Sequence, residues 1–383
     1  MMWKTIMYGV TLLAVLAAGS VWAGGQMGQM DDMVRLGRMM YQDRDFSLNR
    51  TQSCMTCHHQ RSGFADPTNS ADPEGTPVSL GDDGVSLGGR NAPTAAYAGY
   101  SPSLYQDEGN YFGGMFWDGR ATGHVLGDPL AEQAQGPPLN PVEMNMPDKE
   151  AVVAEIAASQ YASLFLQVFE YDPLDDVDVA YDDMAIAIAA YERSSQVQRF
   201  SSKYDNGTLN AQEQGGLALF ETNCSKCHST VTPEGAPGPV FTSYGYENIG
   251  VPANPLLAEI VTEPDLGLGG FLEADYSSVS PLMDDEGYAD QYGKFKIPTL
   301  RDVALTAPYG HNGYFATLVE MVQFHNTRKV ASWPEPEVSD NLNTEDVGEM
   351  ELDNDEVNAI VAFLNALSDS ACRGGRSPAE KAR

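Results

Sequence analysis

The residues best placed to do chemistry are two copies of one short pattern. Cys54-Met55-Thr56-Cys57-His58 and Cys224-Ser225-Lys226-Cys227-His228 both read C-x-x-C-H. At that spacing two thiols can form thioethers to one porphyrin, and the histidine that follows can reach its iron. Four of the five cysteines are used this way. A zinc site fits poorly, because 170 residues (224 − 54) separate the two pairs, far more than in a zinc ribbon. The pattern predicts two covalently bound haem c groups, with His58 and His228 as iron ligands. His59 follows His58 directly and so points elsewhere, toward the second sphere or the surface. Cys372 is left over, beside a Gly/Arg/Lys tail that reads as frayed. It could pair between chains or stay free, and it is given no catalytic role.

The start of the chain agrees with haem attachment, which in bacteria follows export. Lys4 gives a positive n-region, Val10 to Ala18 a short apolar run, and Val21-Trp22-Ala23 a small-x-small ending. Residues 1–23 therefore read as a signal peptide, and the periplasm as the destination. The apolar run is short for a membrane span, so none is expected after processing; a retained N-terminal anchor is the rival reading. The remaining 360 residues (383 − 23) suffice for two cores. With one motif in each half, the expected domains are residues 24–200 and 201–383, divided at the polar stretch from Phe200 to Asn210.

The elements that must position the motifs read as helices joined by long irregular loops. Met30 to Gln42 is amphipathic and leads toward the first motif. Lys149 to Phe169 reads as helical, and Asp182 to Ser194 repeats apolar residues at helical spacing. Asn210 can cap a helix that delivers Cys224, and Asn354 can cap one carrying Ile360, Phe363, Leu364 and Leu367 on a single face. The fold class is mainly α, two cytochrome c-like haem domains with long irregular loops. The net charge of −32, from 54 acidic against 22 basic residues, makes nucleic acid and anionic membrane poor partners. It suits a basic redox protein, and it equally suits adaptation to a salty environment.

Further motifs narrow the reading. Phe116-Trp117-Asp118-Gly119-Arg120-Ala121, Glu132-Gln133-Ala134-Gln135-Gly136-Pro137 and Asn140-Pro141-Val142-Glu143-Met144 follow the first haem motif. Pro298-Thr299-Leu300-Arg301-Asp302-Val303-Ala304-Leu305-Thr306-Ala307-Pro308-Tyr309, with His311 and Gly313, follows the second, and Arg90-Asn91-Ala92-Pro93-Thr94 precedes Trp117. Together these resemble the bacterial di-haem cytochrome c peroxidase / MauG family, in family order from about Leu36 to Leu367.

The resemblance implies a peroxidatic N-terminal haem and an electron-transfer C-terminal haem. Glu143 would be the acid–base group that takes a proton from hydrogen peroxide and returns it to the departing oxygen. Gln133 would hold peroxide or water, and Trp117 would relay electrons between the haems. Arg301 and His311 would belong to the cofactor's surroundings. Asn91, with the carbonyls of Thr306 and Pro308, matches an interdomain calcium site, and oxygen donors suit that ion. The electron donor would be a small cytochrome c or cupredoxin. In the MauG-like alternative, the partner is a protein whose aromatic residues are oxidised.

Two departures stand out. The loop Leu80 to Gly89 reads LGDDGVSLGG and lacks the histidine that caps the resting first haem in many of the peroxidases. The first iron is then expected to be five-coordinate or water-bound at rest, as in the MauG-like branch. At the distal position of the second haem, where methionine or tyrosine stands in the family, this chain has His325. Met321, one helical turn earlier, is the rival ligand.

Overall fold

The structure is a computed structural model that describes residues 31–274, 288–370 and 372. The expected signal peptide and the tail beyond Cys372 lie outside the described residues. No described helix is long and apolar enough alone to cross a membrane.

The fold is mainly helical. Two helix crossings, one in each half of the chain, frame the haem motifs. In the first, the helix at residues 31–41 crosses Val177–Glu192 at Gly37, where a Cβ would stand 1.7 Å from the Ala187 carbonyl oxygen. In the second, Ala211–Asn223 crosses Asn354–Ala366 at Gly216, where a Cβ would stand 1.9 Å from the Ala359 carbonyl oxygen. Only glycine allows backbones to approach so closely. Each crossing joins the helix that precedes a C-x-x-C-H motif to the last helix of that half.

Local chemistry sets the ends of these helices. Asn210 accepts from the Glu213 amide while the Glu213 carboxylate accepts from the Asn210 amide, a capping box. Three expectations shift. The last long helix is capped by Asp353, whose carboxylate accepts from Asp355 and Glu356. The Asn354 side chain instead accepts from Gln323. The Val177–Glu192 helix starts earlier than expected because Asp176 caps it. Lys149 to Phe169 is two helices, Lys149–Ala158 and Ala162–Phe169, bent by 104°. Ser159 ends the first by donating to the Ile156 carbonyl and accepting from the Tyr161 amide.

Strands are few. Tyr105–Asp107 pairs antiparallel with Asn110–Phe112, and Tyr246–Glu247 with Phe295–Lys296. One buried apolar cluster runs from Leu36 to Val197 and also takes in Val240 and Cys372. A second runs from Phe220 to Leu367. Cys372 is a free thiol at 1% exposure within the first cluster. The frayed surroundings expected of it do not hold at its own side chain.

Candidate active site

Both motif histidines are set by the same device. His58 Nδ1 lies 3.1 Å from the Phe64 carbonyl oxygen, and His228 Nδ1 lies 3.1 Å from that of Phe241. Phe64 and Phe241 both sit in the left-handed region, at φ 60° and 56°, which is uncommon for an aromatic residue. That conformation turns each carbonyl onto its imidazole. Donation from Nδ1 fixes the tautomer and leaves Nε2 for a metal. The Tyr41 hydroxyl donates to the His58 carbonyl at 2.9 Å.

Around His228 the chain encloses a cavity of about 550 Å³. Cys224 and Cys227 line it together with Met321 and His325, and Leu300 and Leu364 contribute apolar wall. His325 Nδ1 lies 2.8 Å from the Met321 carbonyl oxygen, so its Nε2 is also left for a metal. Paired thiols, two oriented imidazoles and apolar walls fit haem c. Cys54, Cys57 and His58 repeat the thiol and imidazole donors at the first site.

Glu143 is brought to the first motif. Burial chiefly, and then neighbouring carboxylates including Glu143, raise the pKa of the Cys54 and Cys57 thiols. Glu143 sits in a segment tied to the chain that enters the motif, because the Leu48 amide donates to the Met144 carbonyl at 3.0 Å. Its carboxylate accepts from Asn140 Nδ2 at 2.6 Å. Burial lifts the Glu143 pKa above the ordinary glutamate value, against the opposing effects of the Arg120 charge and the Asn140 bond. Gln133 is half-buried on the short helix Pro129–Ala134, which Asp128 caps.

Trp117 borders the cavity that holds His228, and its indole N–H donates to the Asn91 carbonyl at 2.9 Å. Asn91, Thr306 and Pro308 line the same cavity. Asn91 Nδ2 donates to the Pro77 carbonyl, which leaves Oδ1 as the amide atom suited to a cation. His311 also borders the cavity, stacked on Phe295 at 3.6 Å and 3.1 Å from Glu337 through Nε2. Arg301 is not among the residues that line the cavity. It is fully buried, bonded to both Asp205 oxygens and the Pro239 carbonyl, and packed against the rings of Phe200 and Phe241.

Sequence reasoning missed several residues. Phe64 and Phe241 leave no sequence signal, because nothing in an aromatic residue announces a left-handed backbone. Lys296 lies half-buried beside Trp117, giving its backbone N–H to the Trp117 carbonyl and its ammonium to Ser101, Gly113 and Gly114. Burial pushes its pKa down to about 7. Asp82 is a fourth such residue.

A family model described as di-haem cytochrome c peroxidase matches residues 31–214. Methylamine utilization protein MauG of Paracoccus denitrificans is 39% identical over 361 residues, covering 88% of this chain and 89% of that protein. The chain belongs to the di-haem cytochrome c peroxidase / MauG family. Cytochrome c551 peroxidase of Pseudomonas aeruginosa is 29% identical, over 87% of this chain and 78% of that protein. Among solved structures, the diheme peroxidase BthA from Burkholderia thailandensis superposes with a TM-score of 0.75 at 28% identity, covering 89% of this chain and 87% of its own. Membership implies haem c as the cofactor, in agreement with the two C-x-x-C-H motifs.

Proposed function

We propose that the chain is a periplasmic di-haem peroxidase that reduces hydrogen peroxide to water with electrons from a small redox protein. The observation that carries this reading is Glu143, a half-buried carboxylate held by Asn140, in a segment tied by the Leu48 amide to the chain that enters the Cys54–Cys57 motif. Haem iron supplies one-electron redox steps and, where a coordination position is open, a place for peroxide. Glu143 takes the proton from one peroxide oxygen and delivers it to the other, so that water leaves rather than hydroxide. Gln133 orients the peroxide by hydrogen bonding. Trp117 carries electrons between the halves, with residues 24–200 serving the peroxidatic side and 201–383 the electron-transfer side. His228 and His325, which line one cavity with their Nδ1 atoms engaged by carbonyls, would both hold the second iron, and residues 1–23 would direct export. Asn91 Oδ1 and the Thr306 and Pro308 carbonyls would hold one calcium ion, which would keep the halves in register.

A second reading has its own support. The 80–89 loop holds no histidine, and the MauG of Paracoccus denitrificans is 39% identical against 29% for the cytochrome c551 peroxidase of Pseudomonas aeruginosa. On this reading the protein uses peroxide to withdraw electrons from aromatic residues of a partner protein. Stopped-flow spectroscopy of the diferric protein mixed with peroxide alone separates the two. Rapid return to the resting spectrum only when reduced cytochrome is supplied supports the peroxidase. An oxidised state that persists for minutes and ignores reduced cytochrome supports the modifying oxidase.

A further inference from the structure

The loop at residues 80–89, which carries no ligand histidine, is tied down by one carboxylate. Asp82 is 3% exposed. It accepts from Ser47 Oγ at 2.6 Å, Thr51 Oγ1 at 2.8 Å, Asn49 Nδ2 at 2.6 Å and the Asn49 amide at 2.9 Å. Burial alone would disfavour its anion, but these bonds outweigh it and hold the carboxyl below the usual aspartate value.

Three segments meet at this group. Ser47 Oγ accepts in turn from the amides of Thr51 and Gln52, the residues that lead into Ser53 and Cys54. The Asp82 amide donates to the Glu143 carbonyl at 2.8 Å, and the Leu48 amide donates to the Met144 carbonyl at 3.0 Å. Gln52 Nε2 donates to the Leu80 carbonyl at 2.8 Å. Gly81 leaves no room for play, since a Cβ there would stand 2.8 Å from the Val142 carbonyl oxygen. The haem-attachment segment, the loop and the Glu143 segment therefore meet at Asp82, whose carboxylate holds the first and whose backbone amide holds the Glu143 carbonyl.

We infer that Asp82 is a positioning residue that fixes Glu143 relative to the first haem-attachment motif and keeps the 80–89 loop in one conformation. Its effect on the reaction rests on Glu143 being the acid–base group proposed above. A carboxylate that accepts four hydrogen bonds cannot be replaced by an amide, whose NH₂ would face donors. A misplacement of about 1 Å at a catalytic group can cost roughly a hundredfold in rate.

The test uses the haem-loaded protein with Asp82→Asn, the milder Thr51→Val and, as control, Glu143→Gln. Amide hydrogen exchange over residues 80–89 and 140–146 reads positioning directly, and should quicken at least tenfold in Asp82→Asn and less in Thr51→Val. The maximal rate with peroxide should fall about tenfold or more, with a displaced acid limb in its pH profile and an unchanged potential for the second haem. Unchanged exchange in both segments overturns the inference. So does faster exchange with wild-type rate and pH profile, provided Glu143→Gln is slow. If Glu143→Gln itself reacts like wild type, the acid–base reading fails and the exchange data alone decide whether Asp82 positions the segment.

Discussion

Glu143 is where the chemistry is most exposed to test. Glu143→Gln keeps the size of the side chain and its capacity to accept from Asn140, but removes the base. Positioned acid–base groups contribute about 10²–10⁴-fold, so peroxide reduction should slow by roughly a hundredfold or more. Haem content and the spectrum of the second haem should not change. The pH dependence follows from the raised pKa. A base must be ionised to act, and ionisation is lost as the pH falls through the folded-state value. The acid limb of the rate profile should therefore lie above the ordinary glutamate value of about 4.3, and Glu143→Gln should abolish it. A second test concerns the iron ligand. His325→Met replaces imidazole with thioether, which favours the ferrous state and should raise the potential of the second haem. An unchanged spectrum and potential would point to Met321. At this scale the sequence was informative where a residue works by its type and spacing, as Cys54, Cys57, His58 and their counterparts do. It was silent on Phe64 and Phe241, which act through a backbone carbonyl, and on Asp82, whose partners are 31 to 35 residues away in sequence.

Helix–helix contact positions the motifs, and two glycines make it possible. Gly216→Ala would place a methyl group 1.9 Å from the Ala359 carbonyl oxygen, and backbone on both sides leaves no flexible group to yield. Overpacking of this kind costs about 1–3 kcal/mol. The thermal midpoint should drop by several degrees, at about 2–4 °C per kcal/mol for a domain of this size, while the haem stoichiometry is retained. A midpoint equal to wild type would mean that the crossing is looser than drawn. Helix positions were legible from apolar spacing and caps, as with Asn210 and Glu213. The break at Ser159 was not, because Ser159 acts on backbone groups while the apolar pattern runs on through Phe169. Nor were the crossings, because a glycine inside a helix reads as a weak propensity until its neighbour is known.

For the whole molecule, a charge of −32 would steer a basic redox protein, the donor class that the proposed peroxidase calls for, toward this surface. Charge steering of that kind weakens as salt screens it, over a Debye length of about 10 Å at 0.1 M. The second-order rate constant for a basic donor cytochrome should accordingly fall as ionic strength rises. The measurement that bears most directly on the proposed function is steady-state oxidation of a reduced small cytochrome by the diferric, haem-loaded protein, with peroxide added and no prior reduction. The account predicts immediate turnover, two cytochromes oxidised for each peroxide consumed, and loss of that turnover in Glu143→Gln. Peroxide consumption with no cytochrome oxidised, or activity only after pre-reduction, would contradict it.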